Sequence, residues 1–256
     1  MENIIVQGGI ETAIANGIGT ISFHHPKSNS LPSKVLKELA QTILEFGSND
    51  DIKVIVLQSE GTGAFCAGAS FDELLTLEEP AAAKEFFMGF ARVINAIRKA
   101  PKFVIGRIQG KAVGGGVGVA CSVDYCLAAE AASVKLSELA VGIGPFVVGP
   151  AVERKVGTSA FDSLAVNATE WRDASWAKEK GMFMDVYPSV QELDAAVAAL
   201  TKRLASSSPD AMKELKAVMW SGTEDWDTLL EKRAEISGRL ILSDFAKQTI
   251  QKIKQG

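Results

Sequence analysis

The chain has 256 residues, 47% of them hydrophobic, enough apolar material for one large α/β domain or two small ones. A formal net charge of −4 with scattered Lys and Arg lacks the concentrated basic patch that nucleic acid demands, so nucleic acid is not an expected partner. Apolar runs such as Phe103 to Ile108 are too short to span a bilayer, and Met1 to Gly9 hold no positive stretch followed by an apolar one, so a cytoplasmic protein without membrane association is expected.

Thr12–Ala15 and Gly19–Phe23 read as a hairpin joined through Asn16 and Gly17. Leu36, Leu39, Ala40 and Ile43 recur at helical spacing, predicting a helix from Ser33 to Phe46 that Gly47 ends. A buried strand follows at Lys53–Gln58, then a glycine-rich loop, a helix around Pro80 to Lys99, and a strand at Phe103–Gln109. A second glycine-rich loop feeds another helix, and Val123–Ala128 and Ser133–Leu136 read as further strands. This alternation favours α/β packing. After about Glu170 the chain turns rich in Lys, Glu and Ala, and helical segments are predicted at 173–181, 190–206, 208–219 and 223–254.

Three segments could carry chemistry. In Gly61-Thr-Gly-Ala-Phe-Cys-Ala-Gly-Ala-Ser70, small residues let a ligand approach the main chain, although a tight surface turn would look the same. In Gln109-Gly-Lys-Ala-Val-Gly-Gly-Gly-Val-Gly-Val-Ala120, the glycines open a helix whose first N–H groups lack partners and whose dipole end is positive. An anion or oxyanion site is the natural hypothesis. No window satisfies GxGxxG, since Val119 stands where the third glycine should, and no Gly-Lys-Ser/Thr ending makes a Walker loop. Gly68-Ala-Ser-Phe-Asp72 approaches a GxSxG nucleophile elbow but ends in Asp, and the only histidines, His24 and His25, sit together at a strand end. The third segment, Ser133 to Pro145, places Glu138 among mainly apolar neighbours that would raise its pKa; an exposed loop glutamate is the alternative. Cys66, Cys121 and Cys126 form no CxxC pair and have no histidine nearby, so free buried thiols are expected and no metal site.

Taken in order, His25-Pro-Lys-Ser-Asn-Ser-Leu31, Ala64-Phe-Cys-Ala-Gly-Ala69, Gln109-Gly-Lys-Ala-Val-Gly-Gly-Gly116 and Ser137-Glu-Leu-Ala-Val-Gly142 resemble the crotonase (enoyl-CoA hydratase/isomerase) superfamily. The resemblance runs from about Thr12 to the C-terminus. It implies an α/β spiral of ββα units over residues 1–170, carrying the acyl-CoA site, and a helical C-terminal trimerisation region over 171–256, with a homotrimer or a hexamer of two trimers. It further implies that Ala69 and Gly115 donate two oxyanion-hole N–H groups to a thioester carbonyl and that Glu138 moves the proton. Ala67, Ser70, Phe71 and Asp72 would line the substrate channel, with Lys27 and Asn29 near the adenine and pantetheine. No cofactor is implied beyond the coenzyme A of the substrate itself. Family hydratases generally place a second glutamate on the helix after the glycine triplet, a position that falls on Gly118 here. Isomerisation of a 3-enoyl thioester and hydration of a 2-enoyl thioester therefore both stay open, with decarboxylation or hydrolysis of another acyl-CoA, or non-catalytic acyl-CoA binding, as further alternatives. Phe146, Val147 and Val148 stand where relatives are more glycine-rich, which points to a short or branched acyl group.

Overall fold

The computed structural model describes residues 3–255. Strands β1 (Gly9–Ala15) and β2 (Ile18–His24) form the expected hairpin. Asn16 and Gly17 both have positive φ, 53° and 77°, which a two-residue turn of matching twist requires. Helix α1 (Ser33–Ser48) runs past its predicted end, since Gly47 lies within it and does not terminate it. A Cβ on Gly47 would lie 3.4 Å from Pro101 Cδ. Then come β3 (Val54–Ser59), α2 (Phe71–Leu74), α3 (Pro80–Lys99), β4 (Val104–Ile108), β5 (Ala112–Val113) and α4 (Gly115–Ser122). The chain continues through β6 (Tyr125–Ala129), β7 (Ser133–Lys135), α5 (Gly149–Val156), α6 (Thr158–Val166), β8 (Arg172–Asp173), α7 (Ala174–Glu179) and β9 (Asp185–Tyr187). It ends with α8 (Val190–Ala205), α9 (Pro209–Met219), α10 (Trp226–Ile241) and α11 (Asp244–Gln255).

The main sheet has the order β1-β2-β3-β4-β6-β9, with β1 antiparallel to β2 and every later pair parallel. A small sheet, β5-β7-β8, carries the loops that build the site. Parallel strands need both faces covered. The helices α1 and α3 bury one face with Leu36, Leu39, Phe86 and Phe90, while α8 covers part of the other with Leu193 and Val197 against Val56 and Leu127. Both β8 and β9 lie beyond residue 170 and pair with strands from before it, so the two stretches of chain share their sheets.

The helical segment predicted at 223–254 is two helices, because Ser243 breaks the run and its hydroxyl accepts the Ala246 N–H at the start of α11. Two close approaches fix the tail. Gly238 lets α10 press on α3, where a Cβ would meet Lys84 N at 2.7 Å. On α9, the buried Lys216 Nζ donates to Asp124 Oδ2 at 2.7 Å and to the carbonyls of Ile97 and Lys102 at 2.8 Å. Asp124 also accepts from Val104 N–H and Trp220 Nε1–H, both at 2.7 Å, so every charge in this buried cluster is answered. Among the described residues no helix is long and apolar enough to cross a membrane.

Candidate active site

Two isolated strand pairings bring the loops together. Leu31 pairs in parallel with Ala69, and it supplies both groups: its N–H donates to Gly68 O at 2.7 Å and its carbonyl accepts Ser70 N–H at 3.3 Å. That pattern leaves the N–H of Ala69 itself outside the ladder. Cys66 pairs with Ala112 in the same way, through Cys66 N–H to Lys111 O and Val113 N–H to Cys66 O. The first glycine-rich loop is thereby laid against the second. Gly68 takes φ +84°, and a Cβ there would stand 2.7 Å from Val113 O and 3.4 Å from Gly115 N.

Gly114 has φ 51° and ψ −116°, a conformation open to glycine, and its own N–H is held by Lys135 O at 2.8 Å. Gly115 then begins α4, so its N–H has no carbonyl one turn back to receive it. Among the described residues neither Ala69 N–H nor Gly115 N–H meets a protein acceptor. Both residues border one narrow cavity of about 50 Å³, walled by Phe71, Leu74, Phe87, Phe90, Val141, Ile143 and the Pro145–Val148 stretch.

Glu138 reaches this cavity from the turn after β7. Its carbonyl accepts the N–H groups of Val141 and Ile143, which fixes the turn, and its carboxylate hangs over Gly114. A Cβ on Gly114 would be 3.0 Å from Oε1 and 3.5 Å from Oε2. Glu138 is half-buried as a whole, while its Oε2 is enclosed and has no hydrogen-bond partner. Burial in apolar surroundings pushes its pKa from 4.5 to about 7, offset only in part by its own backbone N–H. The sequence expectation of a desolvated glutamate holds for the carboxylate.

The remaining predicted residues divide. Ala67 and Phe71 line the cavity. Ser70 is buried and its hydroxyl accepts Glu73 N–H as the cap of α2, so it does not line the cavity. Asp72 also lies off the cavity, paired with Lys254 of α11 at 2.6 Å. Lys27 is exposed. Asn29 is buried and holds its turn: Nδ2 donates to Glu60 O and Ala64 O, and Oδ1 accepts His25 N–H. His25 faces inward as well, its Nδ1 accepting from Lys27 N–H and Ser30 O–H, which leaves Nε2–H for Ile4 O at 3.0 Å. Neither Ser70 nor His25 is therefore poised for nucleophilic catalysis.

There is no room for a side chain at position 118. A Cβ on Gly118 would lie 2.3 Å from Val148 Cγ1 and 2.5 Å from Val148 Cβ. An isopropyl group thus fills the place from which a second carboxylate would project. The three cysteines are free and buried, and burial pushes Cys66 and Cys126 up to about 12, too high for thiolate chemistry.

Sequence reasoning missed Phe87, Phe90 and Ser237, which come to the cavity from α3 and α10. On those helices the phenylalanines carry only the apolar periodicity of core residues. It also missed a trio outside the cavity, Glu11, His24 and Glu60, whose ligand atoms lie within 4.8 Å of one another on three separate elements.

The wall of the cavity is fastened from the tail. Lys247 Nζ donates to Leu74 O at 2.8 Å and Leu77 O at 2.5 Å, at the end of α2, while Lys254 holds Asp72 at its start. Phe245 lies against Gly142, on the same turn as Glu138, where a Cβ would come within 2.5 Å of the ring.

The enoyl-CoA hydratase/isomerase family matches residues 13–255. A probable enoyl-CoA hydratase of Bacillus subtilis is 27% identical over 244 residues, spanning 94% of this chain and 94% of its own. The mitochondrial methylglutaconyl-CoA hydratase of Homo sapiens is 30% identical over 200 residues, 77% of this chain and 58% of its own. A crystal structure of an enoyl-CoA hydratase from Mycobacterium avium subsp. paratuberculosis superposes with a TM-score of 0.85 at 25% identity, covering 96% of each chain. The architecture is therefore the crotonase fold with its helical C-terminal region. The chain belongs to the enoyl-CoA hydratase/isomerase family, and it is an acyl-CoA-processing enzyme of that type.

Proposed function

We propose that the enzyme moves the double bond of an enoyl-CoA thioester from the 3 to the 2 position, using Glu138 as its one proton carrier and the N–H groups of Ala69 and Gly115 as the oxyanion hole. The observation that carries this reading is Val148 packed on Gly118, which leaves a single carboxylate in the cavity. Ionised Glu138 takes a proton from C2, the C–H electrons pass into the thioester as an enolate conjugated with the C3–C4 double bond, and the two N–H groups receive the charge on oxygen. Each such donor contributes ~3 kcal/mol to lowering the barrier. Glu138 then returns the proton at C4, leaving the double bond between C2 and C3. A pKa near 7 suits a group that must both take and give a proton at neutral pH.

The thioester is its own electron sink, so the reading requires no metal, flavin or nicotinamide. Ala67 and Phe71 contact the acyl and pantetheine portions, and the exposed Lys27 is placed for a phosphate of coenzyme A. The homotrimer or hexamer is supported by apolar residues left at the surface of the tail helices, Leu215, Val218, Phe245 and Ile253. Free buried thiols fit a reducing cytoplasm. Hydration of a 2-enoyl thioester is the second reading, favoured by the names of the relatives.

Incubation of 3-enoyl- and 2-enoyl-CoA thioesters in D2O separates these. Double-bond migration with deuterium at C2 and C4, and slow water addition, is the expected result. Rapid hydration by the unaltered protein overturns the isomerase assignment, and the absence of both conversion and exchange with either thioester overturns catalysis altogether.

A further inference from the structure

Ser237 is buried, 1% exposed, and borders the cavity from α10. A serine or threonine inside a helix ordinarily returns its hydroxyl to the carbonyl one turn back. Ser122, Thr42, Thr201, Ser206 and Ser207 all do so here, at 2.7 to 3.2 Å. Among the described residues Ser237 makes no hydrogen bond, and its hydroxyl is not one of the fully enclosed unpaired atoms, which are Glu138 Oε2 and Arg172 Nε. The cavity is also lined by the buried Leu74, Phe87 and Phe90, whose side chains carry no hydrogen-bonding group. Among the described residues, no Lys, Arg or His borders the cavity, and its one charged group is the carboxylate of Glu138. A second carboxylate brought in by a substrate would be buried beside a like charge with nothing to neutralise it. At about 50 Å³ the space is small and suits a short acyl group.

We infer that Ser237 is a specificity-determining residue, which selects a short acyl group, four to six carbons long, bearing a neutral hydrogen-bonding substituent such as a hydroxyl or ketone and rejects acyl groups that end in a carboxylate. This rests on the reading of the cavity as an acyl-thioester site. The substituent supplies the partner that the protein withholds, and the apolar walls require that it be uncharged.

Calorimetric titration of saturated CoA thioesters tests the inference apart from turnover, since none of them needs to react. The set is a six-carbon chain with an ω-hydroxyl or an (ω−1)-oxo group, the unsubstituted chain, and a chain of equal length ending in a carboxylate. The hydroxy or the oxo thioester is expected to bind about tenfold more tightly than the plain one, with the carboxylate weakest, as a single well-placed hydrogen bond predicts. Ser237→Ala should bring that ratio to about one by weakening the substituted chains; Ser237→Cys, of similar size, should lie between. Equal binding of plain and substituted chains by the parent protein, or a preference surviving in Ser237→Ala, overturns the assignment. Exchange of the C2 proton of the corresponding 3-enoyl thioesters, followed in parallel, reports on the catalytic reading. Loss of exchange with the binding ratio intact condemns that reading and leaves the role of Ser237 standing.

Discussion

Replacing Glu138 by Gln keeps the shape of the side chain and removes its charge, so the cost of enclosing that charge becomes measurable. In the folded protein the group titrates at about 7, against an ordinary value of 4.5. At about 1.4 kcal/mol per factor of ten, that difference is worth ~3 kcal/mol. Because the folded value is raised, the carboxyl favours the folded state while protonated. Its contribution is fully present below pH 4.5 and is lost as pH rises through 7. Urea unfolding of the parent and of Glu138→Gln at pH 5 and pH 8 should therefore diverge, the variant gaining ~2–3 kcal/mol relative to the parent across that interval. Proton exchange moves the other way: the parent should accelerate with pH to a half-maximum near 7, and the variant should lose exchange at every pH. A stability difference that stays constant between pH 5 and pH 8, or an exchange rate already flat above pH 5.5, refutes the account of an enclosed single base.

Gly118→Glu alone should unfold more easily by about 1–3 kcal/mol, since its Cβ would overlap Val148, and should not gain hydration. Adding Val148→Gly should relieve the overlap and raise the ratio of hydration to double-bond migration, measured by chromatography of the products; an unchanged ratio in a folded double variant would count against the one-carboxylate argument. Lys216→Met leaves the Asp124 carboxylate buried without its cation, and a loss of ~3–5 kcal/mol is expected by chemical denaturation. Restoration of most of that loss by adding Asp124→Asn would identify the stranded charge as the cause.

Much of the fold could be read locally. The hairpin was legible in Asn16-Gly17, and α1, α3 and the buried strands in their periods of apolar residues. What escaped were the breaks and the short elements. The division of the last helical stretch at Ser243 rests on one hydroxyl that caps a new helix, and β8 and β9 are two and three residues long, too short to show a period. Within the site, Gly68 and Gly114 take a positive φ that favours glycine, whereas Gly115 and Gly118 are pressed by the side chains of Phe90 and Val148. Glu138 declared itself through its apolar neighbours. The reach of α3 and α10 into the cavity did not, since a phenylalanine facing a cavity and one facing the core obey the same helical spacing. The occupation of the Gly118 position could not be read either, because a missing side chain says nothing of what fills the space. That Ser70 and Asn29 work inside their own turns was likewise invisible, as capping and substrate contact call for the same residue types.

Lys247 and Lys254 of α11 hold α2 across 173 and 182 residues of sequence, and Phe245 braces the turn that carries Glu138. During synthesis, the glycine-rich loops and the glutamate leave the ribosome long before the helix that fastens their surroundings. A chain clipped just before Asp244 would thus hold both glycine-rich loops and the glutamate while lacking the clasp on the acyl wall. The cavity is in this sense assembled from both ends of the fold, its lining from one stretch of chain and its fastening from another that follows much later in synthesis.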